Sequence, residues 1–267
     1  MCRVLGVGRS GYYAWRERKQ SRHAQEDEIL RERIAELHTI SDRTYGSPRI
    51  AKALRLAGYR CGRGRASRLM RELGLRGVQA KRRHVYTGGD NASDVVAPNL
   101  LGRAFGVGQP NRVWVADLTY VATAEGWLYL AAVLDLGSRR VVGWNISCRA
   151  DAQLTATALQ MALEDRRPPA GLLHHSDQGV QYTARFYQDI LAEHGVSSSM
   201  SRRGNCWDNA VAESFFSTFK GECVRRRIFP SRAAARRAIF DFIEVWYNRR
   251  RLHSALGYLS PASFEAA

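Results

Sequence analysis

Apolar residues recur along this chain in two rhythms, and the change of rhythm divides it. From Gln25 to about Thr39, Ile29, Leu30, Ile34 and Leu37 return at the spacing of one helix face, with charges on the other. Pro48 opens a second helical stretch with Ile50, Ala53, Leu54 and Ala57 inward and Gly58 as its stop. A third runs from about Arg63 to Leu73 and ends at Gly74, with Ala66, Leu69, Met70 and Leu73 inward. Nearer the start, Ser10 suits the cap of a short helix bearing Tyr12, Tyr13 and Trp15, too aromatic for a free tail and too short for a domain.

At Asn111 the rhythm changes. RVWVADLTYV, GWLYLAAVLDL and RRVVGWNIS are rich in Val, Trp, Tyr, Leu and Thr, and AEG and GS break them into an antiparallel meander. DAQLTATALQMALED then reads as a helix with Leu154, Ala158, Met161 and Leu163 inward. A short strand GLLHHSD, a helix TARFYQDILAEHG and a short strand VSSSM follow. Asp208 suits the N-cap of the next helix, whose Ala212, Phe215, Phe216 and Phe219 form an apolar stripe. Asn209, Glu213 and Lys220 share a different face of that helix. A last helix, about Arg232 to Arg249, carries Ile239, Phe240, Ile243 and Trp246 and leads into the basic, turn-rich NRRRLHSALGYLSP.

Three antiparallel strands followed by alternating helices and strands is the order of an α/β ribonuclease-H-like core. The expected organisation is therefore an all-helical, helix-turn-helix-like region (residues 1–80), a basic linker (81–110), the core (111–222), and a C-terminal helix and basic tail completing it (223–267). Within the first region the third helix turns Arg65, Arg68 and Arg71 outward, as a helix entering a DNA major groove would; a helical bundle with a solvated basic surface has the same outline. Lys81, Arg82 and Arg83 begin the linker and suit phosphate contacts or plain solvation.

Composition sharpens the partner class. The 267 residues carry a net charge of +16, distributed unevenly. Residues 1–110 hold 22 Lys/Arg against 10 Asp/Glu, residues 111–220 hold 10 against 11, and residues 221–267 hold 9 against 4. A near-neutral core between basic arms points to a polyanionic partner. No apolar run approaches the roughly 20 residues of a membrane span. Five scattered cysteines, none in a CxxC pair, argue against a disulfide framework or zinc knuckle and suit a reducing cytoplasm.

Three acids stand out within that core. Asp117 interrupts a run that reads as a central strand, where a buried carboxylate must pair, neutralise or bind a cation. Asp177 ends a strand at its carboxyl edge, where ligands of open α/β sheets gather. Glu213 follows after 35 intervening residues, enough for a helix, a strand and a helix start. With the first and fourth strands adjacent, the three carboxylates converge; oxygen-only ligands suit hard divalent ions such as Mg2+, and two such ions serve phosphodiester displacement. Asp135 reads as turn chemistry. His174 and His175 lack partners at zinc-ligand spacing and read as alternating core and surface positions.

WVADLTY, HSDQGVQY and SRRGNCWDNAVAESFFSTFK, together with YGSPRI, APNLLGRAF, VLDLGSRRVVGW and YNRRRLHSALGYLSP, closely resemble the orfB-type DDE transposases of bacterial insertion sequences (IS-three family), within the retroviral-integrase superfamily. The resemblance spans nearly the whole chain. It implies that Asp117, Asp177 and Glu213 form the DDE triad on two Mg2+ ions (or Mn2+), and that Lys220 approaches the DNA end. It also implies nicking at element ends and strand transfer by a 3′-hydroxyl, with no covalent enzyme–DNA intermediate. The implied partners are double-stranded DNA, further copies of the chain on that DNA, and the product of an upstream overlapping frame, often as a fusion that supplies a helix-turn-helix and leucine zipper. Val180 and Gly8 depart from the family's usual residues, away from the triad. Two rival readings stand beside this one: a DNA-binding regulator with a relic core, and a ribonuclease H acting on RNA–DNA hybrids.

Overall fold

The computed structural model describes residues 4–17, 19–78, 96–106 and 108–267. Lys81, Arg82 and Arg83 lie outside the described residues. The chain divides into two units, Met1–Val78 and Gln79–Ala267.

The first unit is helical: α1 (Arg9–Arg16), α2 (Arg22–Ile40), α3 (Ser47–Leu56) and α4 (Arg63–Glu72). Ser21 caps α2 by accepting the Ala24 amide, and Pro48 sits in the first turn of α3. Leu30, Ile34, Ile50, Ala51, Leu54, Ala66, Leu69 and Met70 make its core. Ile29, expected inward, is 52% exposed; the buried face of α2 instead runs through Asp27, Leu30, Ile34 and His38.

The second unit is built on five strands in the order β3-β2-β1-β4-β5. β1 (Val113–Thr123), β2 (Gly126–Asp135) and β3 (Val141–Ser147) form the expected meander. β4 (Leu173–Ser176) and β5 (Ser197–Met200) extend it on the other side in parallel. Between β3 and β4 lies α5 (Ala152–Arg166), capped by Asp151. The helix expected after β4 is α7 (Arg185–Glu193), and a further short helix, α6 (Val180–Thr183), precedes it, set apart by Ala184 with an extended ψ of 132°.

The helix carrying Glu213 begins with a 3₁₀ turn, Cys206–Asn209, continues as α8 (Ala210–Phe219) and ends in a π segment, Lys220–Val224. After it come α9 (Arg232–Phe240), a second π segment Asp241–Tyr247, and α10 (Pro261–Glu265). Phe240, expected inward, is 51% exposed, since the π segment turns Phe242, Ile243 and Tyr247 to the core instead.

Strand alternation sorts the core into two layers. Val113, Val115 and Val121 of β1 pack with Leu128, Leu130 and Leu134 of β2 and with Ala212, Phe215, Phe216 and Phe219 of α8. Trp114 and Ala116 face the opposite way, toward Leu154, Ala158 and Leu159 of α5 and Tyr187 of α7. By the same alternation Asp117 belongs to the side covered by α8.

Candidate active site

β4 sets the geometry by ending early. It pairs with β1 only as Val113↔Leu173, Trp114↔His174 and Val115↔His175. Continuing that register two residues puts Asp117 level with Asp177, just past the last strand residue, Ser176. Beyond this point the edge of β1 has lost its strand partner, and backbone groups there need others.

α8 and its flanks supply them. Asn209 Nδ2 donates to the Ala116 carbonyl at 3.0 Å, and Lys220 Nζ donates to the Tyr120 carbonyl. Eleven helical residues span about 16 Å and four strand residues about 13 Å, so the helix runs alongside β1 between these two ties. Glu213, one turn on from Asn209 and about 6 Å along the axis, therefore comes level with Asp117 and Leu118. Glu213 and Asp117 are both partly buried.

Each aspartate is held by the backbone nearby. Asp117 Oδ1 accepts the Leu118 amide at 2.7 Å, and Asp177 Oδ1 accepts the Gly179 amide at 3.0 Å. A Cβ at position 179 would stand 2.9 Å from Asp177 Oδ1, so a larger residue there would push the carboxylate aside. Asp177 has an exposed surface, yet desolvation by the protein around its carboxyl raises its pKa, partly offset by the Gly179 hydrogen bond. Tyr182 senses both aspartates: burial pushes its phenol far above the usual value, and Asp117 and Asp177 add to the rise. Its hydroxyl is buried with no hydrogen-bond partner. Among the described residues, no three His, Cys, Asp or Glu side chains are gathered closely enough to hold a metal ion.

Asp208 is not the N-cap expected of it. Its carboxylate is fully buried and receives Arg103 Nε at 2.7 Å, Arg202 Nε and Nη2 at 2.9 Å, the Arg202 amide at 3.1 Å and Asn99 Nδ2 at 2.9 Å. The Arg202 hydrogen bonds, with those from Arg103, hold its pKa far below the carboxylate range. The turn leading into α8 is thereby fastened to residues 99–103. Sequence reasoning missed this hub because capping is a local rule while two of its partners lie over 100 residues away.

Both histidines before Asp177 are buried, not alternately buried and exposed. His175 bonds Ser199 Oγ at 2.9 Å and Ser201 Oγ at 3.0 Å, and His174 Nε2 bonds the Tyr187 hydroxyl at 2.9 Å. Burial lowers the pKa of His174 to about 3, keeping it neutral. Asp135 behaves as expected of a turn residue, accepting the Ser138 amide at 2.7 Å.

In the helical unit, Arg65 and Arg68 are committed to the bundle. Arg65 Nε donates to Asp27 Oδ1 at 2.7 Å, while Arg68 bridges Asp27 and Glu72 at 2.6 Å each. Buried Asp27 draws both cations toward α2, leaving Arg65 mostly covered while Arg68 stays 47% exposed. Arg71 is exposed.

Family models match residues in each of the two units. Models described as "Integrase core domain" match residues 108–206 and 194–261, and one described as "HTH-like domain" matches residues 24–83. The chain is 42% identical to "Transposase InsF for insertion sequence IS3A" of Escherichia coli K12, over 99% of this chain and 92% of that protein. It belongs to the IS3-type transposases. A 31 kDa protein of insertion element IS600 from Shigella sonnei, named as uncharacterized, is 48% identical over 99% of this chain and 97% of its own length.

Solved structures similar to this transposase chain include a simian T-cell lymphotropic virus intasome, at 15% identity and a TM-score of 0.46 over 88% of this chain and 74% of that one. The HTLV-2 integrase catalytic core in complex with magnesium matches at 14% identity and a TM-score of 0.43, over 58% of this chain and 96% of its own. The first integrase-core match of the transposase contains Asp117 and Asp177, the second Glu213, and the HTH-like match contains Arg65, Arg68 and Arg71. No helix among the described residues is long and apolar enough to cross a membrane.

Proposed function

We propose that this chain is the catalytic subunit that cuts DNA at the ends of an insertion sequence and joins the freed 3′-hydroxyl to a target strand, with Asp117, Asp177 and Glu213 as its metal-binding acids. The observation that supports this reading is the shared edge of β1: the β1–β4 register, extended, sets Asp117 opposite Asp177, and ties from Asn209 and Lys220, on either side of Glu213, hold its helix to the same strand.

The donor set suits two Mg2+ ions, or Mn2+: it is oxygen-only, while His174 and His175 are tied to Tyr187, Ser199 and Ser201. The partnerless buried hydroxyl of Tyr182 supplies a donor for a carboxylate or water organised around an ion. When bound, the ions contribute Lewis-acid activation of the attacking oxygen and stabilisation of the leaving one. The protein's part is to fix the acids on rigid elements: Asp117 on a central strand, Asp177 through Gly179, and Glu213 through the apolar face of α8. Lys220 puts a cation on the same edge, suited to a DNA phosphate. The helical unit, with Arg71 exposed and with Lys81, Arg82 and Arg83 following, serves double-stranded DNA at element ends. Further copies of the chain and the upstream-frame product are its protein partners.

A nicking assay on duplex DNA carrying the element's terminal repeat tests this directly. Cleavage should require a divalent metal and vanish in Asp117→Asn and Glu213→Gln. Normal cutting by either variant would remove the assignment.

A further inference from the structure

Past the three acids, the β1–β2 hairpin carries a surface that the chemistry above leaves unused. Tyr120 and Trp127 are 49% and 51% exposed, and their rings meet edge to face at 5.0 Å. Trp127 lies opposite Ala122, one diagonal step from Tyr120, so both project from the same side of the hairpin. That side continues the row of Ala131 and Val133 that α5 covers, but at the hairpin's end the aromatics are half exposed. The opposite side at this level, Val121, Leu128 and Leu130, is fully buried.

Cations gather at the same corner. The Lys220 ammonium stands 4.4 Å from the centre of the Tyr120 ring. Exposed Arg225, Arg226 and Arg227 precede Phe229, whose carbonyl accepts the Ala124 amide of the hairpin turn at 2.9 Å. Glu125, the acid at the turn, accepts the Arg232 amide at 2.8 Å. Two aromatic faces with a lysine ammonium against them and three exposed arginines close by in the chain match a ligand that is polyanionic and presents flat rings. A nucleic acid strand with unpaired bases has that chemistry, and stacking on aromatic side chains holds it without regard to sequence. Tyr120 is three residues from Asp117 along β1, about 10 Å, and on the opposite side of the sheet, so a strand stacked on it reaches the acids by passing around the open edge of β1.

We propose that Tyr120 and Trp127, with Lys220 and Arg225–Arg227, form a stacking platform for the unpaired DNA strand adjoining the cut end. The inference rests on the transposase reading for the identity of the strand. It also explains why a tryptophan is carried half exposed on a rigid strand, where a small polar residue would preserve the hairpin.

The test uses the full chain and fluorescently labelled duplexes of the element end, blunt or bearing a five-nucleotide unpaired tail, titrated at one fixed salt concentration. The tail should tighten binding by roughly tenfold. Trp127→Leu and Tyr120→Leu should each remove most of that gain while leaving blunt-duplex affinity within about twofold, and Tyr120→Phe should keep it. Replacing Arg225, Arg226 and Arg227 together by serine should weaken tail binding. A tail that adds nothing to the wild type, or a gain that survives both leucine variants, overturns the platform. Should Trp127→Leu fail to fold, the Tyr120→Leu and Tyr120→Phe pair decides. Wild-type nicking without a tail preference sinks this inference alone. A tail preference without nicking in any divalent metal leaves the platform and removes the transposase reading.

Discussion

Asn209 Nδ2 donates to the carbonyl of Ala116 at 3.0 Å, tying the start of the glutamate helix to the residue before Asp117. Both groups are buried, so the bond has no water to replace it. Asn209→Ala orphans that carbonyl and should cost about 2 kcal/mol of stability. The larger effect is expected on chemistry: a shift of about 1 Å at Glu213 lowers the cutting rate on the order of 100-fold. Denaturant unfolding and single-turnover nicking on the same preparation separate the two. A variant that loses stability but cuts at the wild-type rate would show that this tie does not set Glu213.

Asp208 is the anchor one residue earlier. Asp208→Asn keeps the size of the side chain but removes the charge that faces Arg103 and Arg202. Both arginines are partly exposed, 43% and 60%, so solvent softens the loss. A drop of about 2 kcal/mol is expected, with faster amide exchange in residues 99–103 and 202–209. Unchanged exchange in those segments would mean that the hub does not hold the turn.

Gly143 of β3 sits against α5 with no room to spare. A Cβ there would lie 2.2 Å from the Ala158 carbonyl oxygen and 2.7 Å from the Ala162 Cβ. The obstruction is helix backbone, which cannot swing aside, so Gly143→Ala should destabilise the core by about 2–3 kcal/mol. Thermal unfolding checks this, and an unaltered melting temperature would contradict the close packing of α5 on the sheet.

His174 gives the core an acid-sensitive element. Its folded pKa is about 3, below the ordinary histidine value of 6.5. Above pH 6.5 both folded and unfolded forms are neutral and its contribution is fully present. As pH falls from 6.5 toward 3 the unfolded chain takes up a proton that the folded chain refuses, and stability is lost. His174→Gln should flatten the decline between pH 6.5 and 4, measured as unfolding free energy against pH. An equally steep decline in the variant would assign the acid sensitivity elsewhere.

The strand meander and the helix stripe of Ala212, Phe215, Phe216 and Phe219 are legible because each is a repeating apolar pattern over a short window. Asp117 stood out because an acid inside such a pattern is costly, and Asp177 because it follows one. Asp208 was misread since its partners Arg103 and Asn99 approach only after folding, and nothing local distinguishes a hub from a cap. The outward turn of Phe240 escaped for a related reason: the π segment from Asp241 to Tyr247 shifts the helical period, and a period-based reading assumes none. The commitment of Arg65 and Arg68 to Asp27 was likewise a tertiary fact, invisible to a count of arginines on a helix face.

The central claim is that Asp117, Asp177 and Glu213 bind divalent metal at the edge of β1 and that this binding enables cutting. Mg2+ and Mn2+ titrations of the full chain on element-end duplex, followed by nicking and by calorimetry, test it most directly. Saturable metal binding is expected, with cutting that rises in parallel, both lost in Asp117→Asn, Asp177→Asn and Glu213→Gln while DNA binding persists. Metal binding and cutting that survive all three substitutions would contradict it.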